Sequence, residues 1–118
     1  MKKILICDDD SSILDVLQII LEEGGYETER AVNGEEVLEK VNTTNADLIF
    51  LDIWMPGLQG TEVVKQLKQY EHTKNTPIIL LSALNEIENS AKESGADDFV
   101  RKPFDMHELL SLVKKYIG

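Results

Sequence analysis

Cysteine is almost absent from this sequence, which has a single one, Cys7, in 118 residues. One cysteine cannot form a disulfide within the chain, and a lack of disulfides is typical of proteins from a reducing compartment. We therefore expect a cytoplasmic protein. Cys7 itself lies in a short apolar run, where a small buried hydrophobic side chain is its expected role.

Long apolar stretches and positive charge are also scarce. No apolar run approaches the roughly 18 residues that cross a membrane, and the run over residues 4–7 is too short for the core of a signal peptide. Lys and Arg number 12 against 22 Asp and Glu, which gives a formal net charge of −10. Nucleic acids and anionic membranes bind clustered positive charge, so we expect no direct contact with either. A cation site is compatible with this charge.

The chain alternates short apolar runs with longer segments of helical spacing, in a length that fits one domain over residues 1–118. Strands are predicted at 3–7, 47–52, 77–83, 98–102 and, more weakly, 26–31. Helices are predicted at 12–23, 35–41, 60–70 and 105–117, and at 85–94 mainly because the alternation requires one there. This order predicts an α/β fold, a (βα)5 doubly wound parallel sheet with helices on both faces.

Two pairs of residues sit at the spacing of a capping box, in which a short polar side chain caps a helix and an acidic one follows three residues later. Ser12 with Asp15 predicts the start of the first helix, and Asp105 with Glu108 predicts the start of the last one. The charged segment 26–31 is predicted to be an edge strand, because charges there discourage pairing between sheets.

Polar side chains follow four of the five predicted strands. They are Asp8, Asp9 and Asp10 after the first, Asp52 after the third, Ser82 after the fourth and Lys102 after the fifth. In an open α/β sheet the ligand site lies at the carboxyl ends of the strands, so the fold would bring these groups together. An acidic strand end alone is usually a solvated loop; acidic ends beside a hydroxyl and a lysine predict a site.

These residue types suit divalent-cation and phosphoryl chemistry. Converging carboxylates are ligands for Mg²⁺, and a carboxylate can also be a nucleophile that forms an aspartyl phosphate. On this interpretation Asp52 is the nucleophile, and Asp9 supported by Asp8 holds the metal. Ser82 and Lys102 would then stabilise the charge on the phosphoryl oxygens.

Four stretches, taken together, resemble the receiver domain of the two-component response regulator family. They are ILICDDD, DLIFLDIWMPGLQG, PIILLSA and GADDFVRKPF, and the resemblance covers residues 2–118. It implies a flavodoxin-like, CheY-like sheet with strand order 2-1-3-4-5. It also implies a signalling switch in which Asp52 accepts a phosphoryl group from a phosphohistidine of a sensor histidine kinase or histidine phosphotransfer protein. Such a domain promotes its own phosphorylation and dephosphorylation without being a conventional enzyme, and it acts on a downstream effector or output domain.

The resemblance also assigns roles to single residues. Asp8, Asp9 and Asp52, with the backbone carbonyl of Trp54, would bind Mg²⁺, for which Mn²⁺ or Ca²⁺ can substitute. Ser82 and Lys102 match the positions that contact the phosphoryl group, and the Lys102–Pro103 peptide bond is expected to be cis. Asp10 lies outside the acidic pair and is predicted to be a solvated loop residue.

The resemblance also implies how phosphorylation would change the structure and how long the phosphoryl group would last. Phosphorylation would draw Ser82 towards Asp52, and the space it leaves would admit the ring of Phe99, which is otherwise a plain core aromatic. Trp54 and Leu84 stand two residues after Asp52 and Ser82, at positions that tune phosphoryl lifetime. Both are bulky and uncharged, which predicts slow self-hydrolysis.

Three alternatives remain beside this interpretation. An aspartyl-phosphate phosphatase of the haloacid-dehalogenase type would need an acid two residues after Asp52, where Trp54 stands. A flavin-phosphate binder would need a neutral loop after the first strand, whereas DDDSS would repel phosphate. A pseudo-receiver, an interaction module without phosphorylation, would not need the complete residue set. Whether the chain acts alone or is part of a longer regulator is left open by the sequence.

Overall fold

Residues 1–82 and 94–118 are described by the structure, a computed structural model. Within them, five parallel strands form one sheet in the order β2-β1-β3-β4-β5. The strands are β1 (Lys3–Cys7), β2 (Glu27–Ala31), β3 (Leu48–Asp52), β4 (Ile78–Ser82) and β5 (Asp98–Arg101). The predicted sheet and its strand order are confirmed, and the charged segment β2 lies at the edge.

Four helices lie in the described part of the chain. They are α1 (Ser11–Glu23), α2 (Gly34–Thr44), α3 (Gly60–Gln69) and α4 (Met106–Ile117). The helix predicted over 85–94 falls outside the described residues except for its last residue. Leu84, predicted to affect phosphoryl lifetime, also lies outside them. No described helix has both the length and the apolar character needed to cross a membrane.

The core has two layers because successive strand residues face opposite sides of the sheet. In β1, Leu5 and Cys7 join the layer under α2 and α3, whereas Ile4 and Ile6 join the layer under α1 and α4. β1, β3 and β4 are buried on both sides, which explains why their sequences are continuously apolar. Cys7 is fully buried, as expected.

The start of α1 differs from the prediction. Asp10, and not Ser12, is the N-cap, and its carboxylate accepts a hydrogen bond from the Ser12 amide at 2.9 Å. Asp15 does not complete a capping box, because its carboxylate forms an ion pair with Arg30 of β2 at 2.8 Å. The prediction for α4 is confirmed, since the Asp105 carboxylate accepts from the Glu108 amide at 2.7 Å.

Candidate functional site

Three carboxylates meet at the carboxyl ends of β1 and β3. One oxygen from each of Asp8, Asp9 and Asp52 lies within 4.8 Å of the others. The Asp8 side chain is fully buried and Asp52 is 5% exposed, whereas Asp9 faces solvent. Asp52 ends β3 and Asp8 directly follows β1, so the packing of the sheet fixes these two carboxylates, whereas Asp9 lies one residue further along the loop.

The ammonium group of Lys102 lies between two of these carboxylates. Its Nζ is 2.6 Å from Asp8 Oδ2 and 3.6 Å from Asp52 Oδ2. Its backbone N–H donates to the Ser82 carbonyl at 2.7 Å, which continues the pairing of β4 and β5 by one residue. The peptide bond from Lys102 to Pro103 is cis, as the resemblance implied. The lysine therefore reaches the acidic cluster from the far end of the chain.

Asp8 is held at both carboxylate oxygens. Oδ2 accepts from Lys102, and Oδ1 accepts from the backbone N–H of Asp10 at 2.9 Å. Asp10 is exposed, as predicted, but it also links Asp8 to the first turn of α1 by capping that helix. This role was not predicted from the sequence, although Asp immediately before a helical segment is a common N-cap signal.

Burial and nearby negative charge both act on the Asp52 carboxylate. Burial, followed by the negative charge of Asp8, raises the pKa of Asp52 from 3.8 to about 6, and Asp9 adds to the rise. The Lys102 charge and a hydrogen bond from the Trp54 backbone oppose it. The pKa of Asp52 is therefore raised mainly by burial, and the neighbouring carboxylates add to the rise although Lys102 opposes it.

The loop that follows Asp52 returns closely beneath it. The Gly60 N–H donates to the Ile53 carbonyl at 2.9 Å, which closes the loop where α3 begins. A Cβ atom on Gly60 would lie 2.4 Å from the Asp52 carbonyl oxygen and 2.8 Å from the Ile53 Cα. Only a glycine permits this approach without a backbone shift. Trp54, at the start of the loop, is 52% exposed.

The two predicted switch residues lie on neighbouring strands. Ser82 ends β4 with its side chain buried, and it is in register with Arg101 of β5. Phe99 lies two residues before Arg101, in register with Leu80, and its half-buried ring packs against the core layer under α2 and α3. This places Phe99 beside the strand that carries Ser82.

The donor set fits a magnesium ion. Mg²⁺ prefers oxygen ligands and is usually held by one or two carboxylates together with water and phosphate oxygens. Here one carboxylate is exposed, one is buried with a raised pKa, and a third is already paired with a lysine. A divalent cation would offset the part of the rise in the pKa of Asp52 that comes from Asp8 and Asp9.

Comparisons with known proteins point in one direction. The family model described as "Response regulator receiver domain" matches residues 4–114. One relative is the alkaline phosphatase synthesis transcriptional regulatory protein PhoP of Bacillus subtilis, to which the chain is 44% identical. The match covers 96% of this chain and 47% of PhoP. The chain is 36% identical to sporulation initiation phosphotransferase F of the same organism, over 98% of this chain and 94% of that one.

A solved structure agrees. Response regulator TrrA from Thermotoga maritima, in complex with Mg²⁺-BeF, superimposes with a TM-score of 0.91 at 41% identity, covering 99% of this chain and 100% of that one. The chain spans about half the length of the first curated relatives that it matches, from 46% to 50%.

Proposed function

The chain belongs to the response regulator receiver domain family, and from this we propose that it is a signalling switch in which Asp52 is the phosphoacceptor. The observation that carries the proposal is the cluster of three carboxylates within 4.8 Å, with the Lys102 ammonium group against two of them. The nucleophile, the metal ligands and a cation for the phosphoryl oxygens would thus share one site.

The proposed reaction is phosphoryl transfer from a phosphohistidine. A carboxylate oxygen of Asp52 attacks phosphorus, the P–N bond breaks, and its electron pair returns to the imidazole nitrogen of the donor. Asp52 must be ionised for this attack. A Mg²⁺ ion held by Asp8, Asp9, Asp52 and the Trp54 backbone carbonyl would neutralise charge on the carboxylates and on the phosphoryl oxygens. Mn²⁺ or Ca²⁺ would substitute for it.

Lys102 would act on the product as well as on the resting site. Its Nζ is 1.0 Å nearer to Asp8 than to Asp52, from the distances of 2.6 and 3.6 Å. A phosphoryl group on Asp52 brings further negative charge within reach of the same ammonium group. The hydroxyl of Ser82 would donate to another phosphoryl oxygen.

Movement of Ser82 would then be the first step of the switch. Ser82 is buried at the end of β4, so a shift towards Asp52 changes the packing available to the neighbouring strand. Phe99 on that strand is only half-buried and would enter the vacated space. Because its ring has no hydroxyl, the two positions would differ by burial alone.

We propose that the donor is a sensor histidine kinase or a histidine phosphotransfer protein in the cytoplasm, and that residues 1–118 act as one receiver unit. The output would be a downstream effector or an output domain, because several matched relatives are transcriptional regulators about twice as long. The net charge of −10 argues against direct contact of these residues with nucleic acid or with a membrane. The phosphatase alternative has no support at Trp54, which offers no acid.

Intact mass spectrometry tests this function. We expect the wild type, incubated with acetyl phosphate and Mg²⁺, to gain one phosphoryl group. Asp52→Asn and a wild-type sample without Mg²⁺ should gain none, whereas Asp105→Asn, the same change at the cap of α4, should behave as wild type.

No gain by the wild type would argue for the pseudo-receiver, provided that beryllofluoride with Mg²⁺ also leaves the Trp54 fluorescence unchanged. Trp54 is a suitable reporter because it is half exposed and its backbone contacts Asp52.

A further inference from the structure

The guanidinium group of Arg30 joins the edge strand β2 to the first two turns of α1. Nη1 donates to Asp15 Oδ1 at 2.8 Å and to Gln18 Oε1 at 3.1 Å, and Nη2 donates to the Ser11 carbonyl at 3.4 Å. Three acceptors on one helix are thus bound by one side chain that is 37% exposed. An isolated exposed ion pair contributes little. This guanidinium group also contacts a side-chain amide and a backbone carbonyl of the same helix.

The last two residues of β2 hold both ends of the loop that carries the acidic residues. The Ala31 carbonyl accepts from the Asp8 amide at 3.3 Å, before the loop. The guanidinium group of Arg30 holds the Ser11 carbonyl directly after it. Asp9 and Asp10 are the two residues between these anchor points, so the geometry of their backbone depends on both.

Asp9 depends on this backbone more than the other carboxylates of the cluster. Asp8 is buried and held at both oxygens, and Asp52 is buried at the end of a central strand. Asp9 is exposed, so its position follows from where the loop places its Cα. A shift of the first turn of α1 would move Asp9 relative to the two buried carboxylates.

We propose that Arg30 is a positioning residue for the cation site and acts by fixing Asp9 through the start of α1. The inference rests on the proposed function, because it assumes that Asp9 is a metal ligand. The planar fork of arginine can bind several acceptors at once, whereas the single ammonium group of lysine cannot reproduce that arrangement. Arg30→Lys therefore removes the positioning while it keeps the positive charge.

Charge alone predicts the opposite effect of losing Arg30. A positive charge near a cation site opposes cation binding, so its removal should tighten Mg²⁺ binding. Positioning predicts weaker binding, and more so for Mg²⁺ than for Ca²⁺, because Mg²⁺ demands near-ideal octahedral geometry. The two explanations thus differ in sign for Arg30→Met and in magnitude for Arg30→Lys.

The test is a titration of the folded protein with MgCl₂ and with CaCl₂ at constant ionic strength, followed by amide NMR shifts of residues 8–11. Wild type is compared with Arg30→Lys, Arg30→Met and the control Lys74→Met. Lys74 is exposed and paired with Glu71 at 3.1 Å in the loop before β4, at the opposite end of the sheet. Thermal unfolding checks that each variant is folded at the titration temperature.

We expect Arg30→Lys to bind Mg²⁺ about three- to fivefold more weakly, the range that an exposed charged contact supports. The ratio of Mg²⁺ to Ca²⁺ affinity should fall, and Lys74→Met should behave as wild type. A loss of stability alone would leave that ratio unchanged in the folded protein. Acetyl phosphate uptake by Arg30→Lys should be slow at limiting Mg²⁺ and normal at saturating Mg²⁺.

Two results would overturn the role of Arg30 while leaving the proposed function intact. One is wild-type Mg²⁺ affinity and an unchanged ion ratio in Arg30→Lys, and the other is tighter binding by Arg30→Met. If Arg30→Met does not fold, Arg30→Lys decides the question alone. A wild type that binds no Mg²⁺ and takes up no phosphoryl group would instead remove the proposed function, and this inference with it.

Discussion

Replacing Asp52 by asparagine should stabilise the metal-free protein, although it removes the proposed phosphoacceptor. The Asp52 carboxylate is buried and faces two further carboxylates, and its pKa is raised to about 6. As the pH rises, the unfolded chain releases the Asp52 proton near pH 4, whereas the folded protein keeps it until about pH 6. Between these values the folded state binds more protons than the unfolded state, so stability falls as pH rises from about 4 to above 6.

The size of the effect follows from the same pKa. A change from 3.8 to about 6 corresponds to about 3 kcal/mol at about 1.4 kcal/mol per pH unit. Water reaches the cluster on the side of Asp9 and screens part of the repulsion, so we expect about 2 kcal/mol at pH 8. For a domain of 118 residues this corresponds to a rise in Tm of about 8 °C.

Thermal unfolding in EDTA at pH 4 and pH 8 measures this difference. The wild type should lose stability relative to Asp52→Asn between the two pH values, and the two proteins should be closely similar at pH 4. Glu39→Gln is the matched control, because it also removes one negative charge but from an exposed position on α2. Mg²⁺ should raise the Tm of the wild type more than that of Asp52→Asn.

An Asp52→Asn protein no more stable than wild type at pH 8 in EDTA would show that the ionised Asp52 carboxylate does not destabilise the metal-free fold. So would an advantage equally large at pH 4, because the carboxylate is then protonated and uncharged. An equal gain in Glu39→Gln would attribute the effect to the overall charge of −10 and not to the cluster.

Three further predictions concern the supports of the site. Lys102→Met leaves the buried charge of Asp8 without its lysine, so the free energy of unfolding, measured with denaturant and without metal, should fall by about 2 to 4 kcal/mol. An unchanged denaturation midpoint would contradict a stabilising ion pair between Lys102 and Asp8. Gly60→Ala places a Cβ 2.4 Å from the Asp52 carbonyl oxygen, so urea unfolding should show a loss of more than about 1 kcal/mol. Intact mass should show slower phosphoryl uptake by this variant. Asp10→Ala should cost about 1 kcal/mol in urea and weaken Mg²⁺ binding. Asp105→Ala, at the same kind of cap on α4, should cost as much stability with unchanged Mg²⁺ affinity.

The sheet was predictable because its three central strands are buried on both faces. A central strand is apolar along its interior positions, so β1, β3 and β4 stand out in the sequence to within one residue at each described end. β2 was harder to recognise because it is a charged edge strand, and the sequence predicted it only weakly. The carboxyl-end rule for parallel sheets then brought Asp8, Asp52 and Lys102 together before any distance was known.

What the sequence did not predict depends on tertiary contacts. Ser12 and Asp15 have the spacing of a capping box, but Arg30, fifteen residues away from Asp15, binds its carboxylate instead. Asp10 then caps the helix, two residues earlier than expected. Local spacing cannot decide between two possible caps when one partner is engaged by a distant strand. The Lys102 Nζ lies 2.6 Å from Asp8 Oδ2 and 3.6 Å from Asp52 Oδ2. No sequence pattern predicts which of the two carboxylates lies nearer to the lysine.

One lysine does not balance the three carboxylates of the site. With Asp8, Asp9 and Asp52 ionised and Lys102 protonated, the cluster carries three negative charges and one positive charge, a net of −2. Burial, followed by the charge of Asp8, raises the pKa of Asp52 to about 6, so below that pH the metal-free protein holds a proton on Asp52. A protonated carboxyl is not a nucleophile, so the same proton that stabilises the empty cluster would block phosphoryl transfer. A divalent cation would balance the charge without occupying the attacking oxygen with a proton, and the dependence of phosphorylation on Mg²⁺ should accordingly be steepest below about pH 6.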